Sequence, residues 1–171
     1  MSNNIQEKTI FNPDLIVYDF DGVMTDNRVL VFQDGTEAVF VNRADGWGIS
    51  QLSKAGYQQI ILSTEHNPVV STRAKKLQIE AFQGSIDKGR DLVVYCKSRN
   101  IDLKKVLYVG NDLNDLEAMN LAGFSIAPAD AHPQIKIIAR MVTKARGGEG
   151  VIKELSEWLL NNINEGISNI Q

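Results

Sequence analysis

Short β-rich runs and helical runs alternate along this chain almost without interruption, and no other feature restricts its fold as much. Leu15–Phe20, Gln58–Leu62, Glu80–Gln83, Val106–Val109, Phe124–Ala127 and Met141–Thr143 read as strands. Asp45–Ala55, Pro68–Leu77, Lys88–Arg99, Leu113–Ala122 and a segment from Pro133 read as the helices between them, Gly56 stopping the first. Val151, Ile152, Leu155, Trp158 and Leu159 share one face at helical spacing, which predicts a closing helix. One stretch departs from the alternation. Val29–Phe32 and Glu37–Val41 flank Gln33-Asp34-Gly35-Thr36 and read as a hairpin. Strand–helix alternation predicts an α/β fold, a doubly wound, Rossmann-like and mainly parallel sheet with helices on both faces. Residues 13–161 form the expected domain, after an N-terminal extension (1–12) and before a polar tail (162–171) expected to be disordered.

Composition narrows the partners. A chain of 171 residues is one domain's length, and its formal net charge of −3 gives no general attraction to nucleic acid or anionic membranes. Cys96 is the single cysteine, which excludes an internal disulfide framework and fits a reducing compartment. It lies in the apolar run Leu92–Cys96, where core packing is expected. No apolar run is long enough to span a bilayer, and Met1-Ser2-Asn3-Asn4 lacks a basic-then-apolar leader, so a cytoplasmic location is expected.

In a parallel sheet, ligands bind beyond the carboxyl ends of the strands. Three polar clusters fall there: Asp19 and Asp21, Ser63 and Thr64, and Asn111 and Asp112. Residues i and i+2 of an extended segment point the same way, so Asp19 and Asp21 can address one substrate. Two carboxylates repel a phosphate unless a divalent cation lies between, and Mg2+ suits an oxygen-only site. Asp19 can then attack phosphorus while Asp21 protonates the leaving oxygen and later deprotonates water. Gly22 permits a sharp turn and a close backbone approach, and Ser63 and Lys88 offer a hydroxyl and a cation to the non-bridging oxygens.

The run Asp19-Phe20-Asp21-Gly22-Val23-Met24-Thr25-Asp26, with Ser63, Lys88 and Gly110-Asn111-Asp112-Leu113-Asn114-Asp115, resembles the four motifs of the haloacid dehalogenase superfamily across roughly Asp14 to Leu160. That resemblance implies a Mg2+-dependent phosphatase with Asp19 as nucleophile, Asp21 as general acid/base, and Ser63 and Lys88 as phosphate ligands. The family's fourth motif begins Gly-Asp, and its aspartate ligates the metal; here Asn111 stands in that position. The metal set is therefore Asp19, Asp21 and Asn111 or Asp112, with Asp115 able to orient the site. Between Asp21 and Ser63, and again between Thr64 and Asp87, there is no room for the cap domain that many members insert. The hairpin is apolar at consecutive positions, so both of its faces call for burial. A homo-oligomer whose subunits complete one another's sites is expected.

The hairpin, Asn42-Arg43-Ala44-Asp45-Gly46-Trp47-Gly48-Ile49 and Arg146-Gly147-Gly148-Glu149-Gly150 resemble the 3-deoxy-sugar-acid phosphatases, tetramers that act on 3-deoxy-D-manno-octulosonate 8-phosphate or nine-carbon relatives, which implies a homotetramer here. A similar domain ends animal acylneuraminate cytidylyltransferases. Octulosonate enzymes usually read Ser/Thr-Gly-Arg at the second motif, whereas this chain reads Ser63-Thr64-Glu65. Glu65 with Arg73 and Lys76 resembles the substrate set of the nonulosonate 9-phosphate phosphatases, and the resemblance extends that set to Gly22, Thr64 and Asp45. A phosphorylated nine-carbon sugar acid is the expected substrate, with the eight-carbon acid as the alternative. A silent oligomerisation module, suggested by Asn111, is the rival from another class. A phosphorylation-receiver domain fits less well, because its phosphoacceptor follows the third strand.

Overall fold

Leu15 to Tyr18 are all fully buried, as a strand must be when helices cover both faces of its sheet. The fold is that of a computed structural model, which describes residues 11–168. In it β1 (Leu15–Tyr18) lies between β4 (Gln58–Leu62) and β6 (Val106–Val109), parallel to both. Outside β4 lies β5 (Glu80–Phe82), and beyond β6 come β7 (Phe124–Ala127) and β8 (Met141–Val142). All five pairings in this six-stranded sheet are parallel, order β5-β4-β1-β6-β7-β8, so the sheet is wholly and not just mainly parallel.

Side-chain alternation distributes the strands between two cores. Ile16, Tyr18, Leu107 and Val109 pack with Ile49 and Leu52 of α1 (Arg43–Lys54), Val70 of α2 (Pro68–Leu77) and Leu155 and Leu159 of α6 (Val151–Ser168). Leu15, Val17, Val106 and Tyr108 pack with Leu92 and Cys96 of α3 (Lys88–Arg99), Met119 of α4 (Leu116–Leu121) and Ile135 of α5 (Pro133–Ile138). Cys96 is thus a core residue, as expected.

Several element boundaries differ from the sequence reading, those of β1, α1 and α6 among them. β1 ends at Tyr18 because the chain then turns, the amides of Met24 and Thr25 both reaching the Phe20 carbonyl. α1 begins before Asp45 because Asn42 is its N-cap, accepting from the Ala44 amide at 2.9 Å. α6 runs on to Ser168 through the segment expected to be a disordered tail; the rest of that tail, and residues 1–10 of the expected N-terminal extension, lie outside the described residues.

Between β1 and β4 there is only α1 and an antiparallel hairpin, β2 (Thr25–Val31) and β3 (Glu37–Val41), which forms its own two-stranded sheet. No cap domain interrupts the described residues. Val29, Leu30, Val31, Phe32 and Phe40 of the hairpin are all exposed. No helix among the described residues is long and apolar enough to cross a membrane.

Candidate active site

Because β1 is the central strand, the loops leaving β4 and β6 flank the one that leaves β1. Asp19 stays pinned to the sheet, its amide donating to the Val109 carbonyl at 2.9 Å, and is 4% exposed. Its Oδ1 accepts from the Phe20 amide and from Lys88 Nζ, each at 2.7 Å. Lys88 opens α3, and its side chain is completely buried. A cation at a helix N-terminus opposes the helix dipole, so it needs counter-charges. Two are present, since Nζ also lies 2.7 Å from Asp115 Oδ1.

Asp115 is the hub beneath the site. Its Oδ1 accepts from Lys88 and from the Tyr108 hydroxyl at 2.9 Å, and its Oδ2 from the amides of Asn111 at 2.9 Å and Asp112 at 3.3 Å. A buried carboxylate with this many donors is fully satisfied, and it fixes Lys88 and the loop after β6 together. Tyr108 reads in sequence as one more core residue of a strand; only its hydroxyl, pointing at Asp115, marks it as part of this network.

Burial, and then the charge of Asp115, push the Asp19 carboxyl well above the usual carboxylate range, against the Lys88 ammonium and the Phe20 amide. Burial alone would lower Lys88, but Asp19 and Asp115 outweigh it and hold the ammonium protonated. Asp21 is raised as well, chiefly by burial, although the Thr25 hydroxyl donates to it at 3.2 Å.

Above this floor opens a cleft of about 330 Å³ whose lining includes Asp19, Asp21, Thr64, Glu65, Asn111 and Asp112. Its outer wall is the hairpin, through Arg28, Val29, Glu37 and Val39, none of which the sequence singles out as a site residue. Ser63 is buried beside Asp19's strand, its Oγ accepting from the Glu65 amide at 3.1 Å. Gly22 has φ +79°, and a Cβ there would collide with the Asn111 side chain, so glycine is required.

The Asn111 amide can face Asp19 Oδ2 and the Asp21 main-chain oxygen in two ways. With nitrogen inward it donates to them at 3.0 and 2.9 Å. With oxygen inward, the Asn111 oxygen lies at those spacings from the other two, and cis oxygens around an octahedral ion with bonds of ~2.0–2.1 Å lie ~2.9–3.0 Å apart. The residues present therefore fit Mg2+, through one carboxylate, one main-chain carbonyl and one amide. Among the described residues no cluster of three His, Cys, Asp or Glu side chains offers a richer set. Asp112 lines the cleft, but its Oδ1 caps the following turn, accepting from the Leu113 amide at 2.7 Å.

Three residues expected at the substrate lie elsewhere. Asp45 is buried inside α1 and accepts from the amides of Ile152 and Lys153, because it caps α6. Arg73 points at the start of α1, donating to the Asn42 carbonyl at 2.9 Å. Lys76, exposed on α2, is not part of the cleft lining either. Shared helical spacing placed Arg73 and Lys76 together, yet it could not say which neighbour their face meets.

Residues 49–155 match the model of the haloacid dehalogenase-like hydrolases. The chain belongs to that family. It is similar to the 3-deoxy-D-manno-octulosonate 8-phosphate phosphatase of Yersinia pestis, 33% identical over 85% of this chain and 79% of that protein. It is 32% identical to the N-acylneuraminate cytidylyltransferase of Oncorhynchus mykiss over 85% of this chain, but spans only 35% of that protein's length. Among solved structures, a Streptomyces avermitilis protein described only as a HAD family hydrolase is 47% identical with TM-score 0.86, covering 89% of this chain and 87% of that one. The Moraxella catarrhalis 3-deoxy-D-manno-octulosonate 8-phosphate phosphatase, in complex with magnesium, phosphate and KDO, is 31% identical with TM-score 0.86 over 95% of each chain. This chain is thus a phosphatase of the haloacid dehalogenase-like family.

Proposed function

We propose that the chain is a Mg2+-dependent phosphomonoester hydrolase working through an aspartyl-phosphate on Asp19. The observation that carries this reading is the buried Lys88 bridging Asp19 and Asp115 at the base of a cleft whose other wall holds Asp21. Asp19 attacks phosphorus, the ester P–O bond breaks, and Asp21 gives its proton to the leaving sugar oxygen. Burial raises the Asp21 pKa, the direction a general acid needs. Asp21 then takes a proton from water, which attacks the acyl phosphate, frees Asp19 and releases phosphate. Lys88 and the Ser63 hydroxyl stabilise charge on the non-bridging oxygens. Asp19, the Asp21 carbonyl and Asn111 would hold Mg2+, which would supply charge neutralisation between carboxylate and phosphate. Asp112 is positioned to contribute through water.

The substrate we assign is a phosphorylated 3-deoxy sugar acid of nine carbons, with Gly22, Thr64 and Glu65 as its contacts at the cleft. Glu65 on the cleft wall and the similarity to an acylneuraminate enzyme support nine carbons. The similarity to 3-deoxy-D-manno-octulosonate 8-phosphate phosphatases supports eight as the second reading. The exposed hairpin supports a homotetramer whose subunits finish each other's sites, and the buried lone Cys96 agrees with a reducing, cytoplasmic setting.

A phosphate-release panel with octulosonate 8-phosphate, KDN 9-phosphate and N-acetylneuraminate 9-phosphate tests this. Turnover should require Mg2+, vanish in Asp19→Asn and be fastest on a nine-carbon acid. Comparable rates on all three would refute the chain-length assignment. No turnover of any, by a folded protein, would leave the silent module standing.

A further inference from the structure

The loop carrying Asp21 is held from two sides, and only one of them belongs to the metal site. Asn111 packs on Gly22 from the front. From behind comes the glycine turn that precedes α6. A Cβ on Gly147 would collide with the Gly22 carbonyl and lie 2.9 Å from that of Thr25, and a Cβ on Gly148 would lie 2.6 Å from the Asp26 amide. The Gly148 amide donates to the Val23 carbonyl at 3.1 Å. Backbone is thus laid directly on backbone, and any shift of this turn moves residues 22–26.

What fixes the turn is α1. Asn42, the α1 cap, donates through Nδ2 to the Gly148 carbonyl at 3.2 Å. One turn further on, Asp45 Oδ1 accepts from Ile152 at 2.9 Å and Lys153 at 3.1 Å, holding the first turn of α6. At Gly48 the helices touch, since a Cβ there would lie 2.8 Å from the Ile152 carbonyl. Asp45 is 2% exposed, and its Oδ2 has no hydrogen-bond partner, nor does the buried Nε of Arg73, whose charge acts on it. A carboxylate is a costly helix cap when buried, because an asparagine or serine cap carries no charge to desolvate.

We infer that Asp45 is a positioning residue: by holding the N-terminus of α6 it seats the Gly147–Gly148 turn against residues 22–26 and so sets where Asp21 and the Asp21 carbonyl stand relative to Asp19. The inference rests on the phosphatase reading above for its kinetic consequence, but not for its structural one.

The test uses the full chain with p-nitrophenyl phosphate and Mg2+, assayed well below each variant's Tm, together with amide hydrogen exchange. Asp45→Ala should lower kcat about ten- to a hundredfold with KM little changed, the scale of a misplaced catalytic group. Exchange should quicken at Val23–Thr25 and stay unchanged at Leu107–Val109. Asp45→Asn, which keeps an acceptor for the two amides, should restore most of kcat. Leu159→Ala, which weakens the core packing of α6 about two turns beyond its capped start, should lower Tm without lowering kcat. Unchanged kcat in Asp45→Ala, a loss matched by Leu159→Ala at equal Tm loss, or no rescue by asparagine would each overturn the inference. If Asp45→Ala does not fold, Gly147→Ala carries the test: its Cβ presses on Gly22 with the cap intact, and unchanged kcat with unchanged exchange overturns the inference. Wild-type protein inactive on every phosphate monoester would sink the phosphatase reading instead, leaving the exchange comparison to decide the positioning role.

Discussion

At the floor of the cleft the side chains of Lys88 and Asp115 have no exposed surface, whereas in the hairpin that walls the same cleft Phe40 is 73% exposed and Val31 62%. The ordinary partition of charged and apolar residues is inverted in both places, but with different consequences. Each buried charge at the floor has its counter-charge and its donors within the protomer. In the hairpin only Val39 and Val41 pack on the core among the described residues, leaving Val29, Leu30, Val31, Phe32 and Phe40 exposed, and a two-stranded ribbon is not stable alone in water. On the proposed function, one chain would supply the chemical half of the site, and the proposed homotetramer would supply the half that excludes water.

The largest effect should come from breaking the floor. Asp115→Ala leaves Lys88 with one counter-charge and strips the Tyr108 hydroxyl of its acceptor, and should cost about 3–5 kcal/mol in urea unfolding, with turnover lost. A buried carboxylate with one oxygen unpartnered sharpens the contrast. Burial pushes Asp45 up to about 6, above an unfolded value of about 3.9, so the fold prefers its protonated form. That contribution to stability is full below about pH 4 and lost as pH rises through about 6. Asp45→Asn lacks the titration, so between pH 4 and 7 the stability difference should move by up to about 3 kcal/mol in the variant's favour, measured by urea titration at each pH. The hairpin should respond only through association. Phe40→Glu should shift the oligomer towards smaller species in sedimentation, by about 2 kcal/mol per contact, with protomer stability unchanged. A monomeric wild type at micromolar concentration would break the comparison itself. The smallest effect belongs to the metal. Asn111→Asp adds one charge to the proposed set and should tighten Mg2+ binding about tenfold by calorimetry, while making the metal-free protein less stable through repulsion with Asp19.

Most of the sheet could be read directly. β4, β6, β7, α2 and α3 begin and end where their patterns placed them, because caps and breakers are local: Asn67-Pro68 opens α2, Asp87 caps α3, and Gln78 and Asn100 take left-handed conformations at their ends. The gathering of Asp19, Asp21, Thr64, Asn111 and Asp112 at one edge also followed from strand ends in a parallel sheet. What escaped was contact across long sequence separations. Asp45 read as a substrate residue, and its use as a cap for α6 has no local signature, since its partners lie at Ile152 and Lys153. Arg73 escaped for the same reason: nothing in α2 announces the Asn42 carbonyl.

The order β5-β4-β1-β6-β7-β8 also has a consequence for how the protein is made. The strand that delivers Asp19 is the first of the sheet to leave the ribosome, yet both of its neighbours are synthesised much later, β6 last of the three. Such non-local pairing has a high contact order and slows folding. A nascent chain ending before Val109 would hold β1 with one edge bare and Asp19 with nothing to donate its amide to. Lys88 would be without Asp115. The proposed nucleophile is thus among the first residues built and among the last to be put in place.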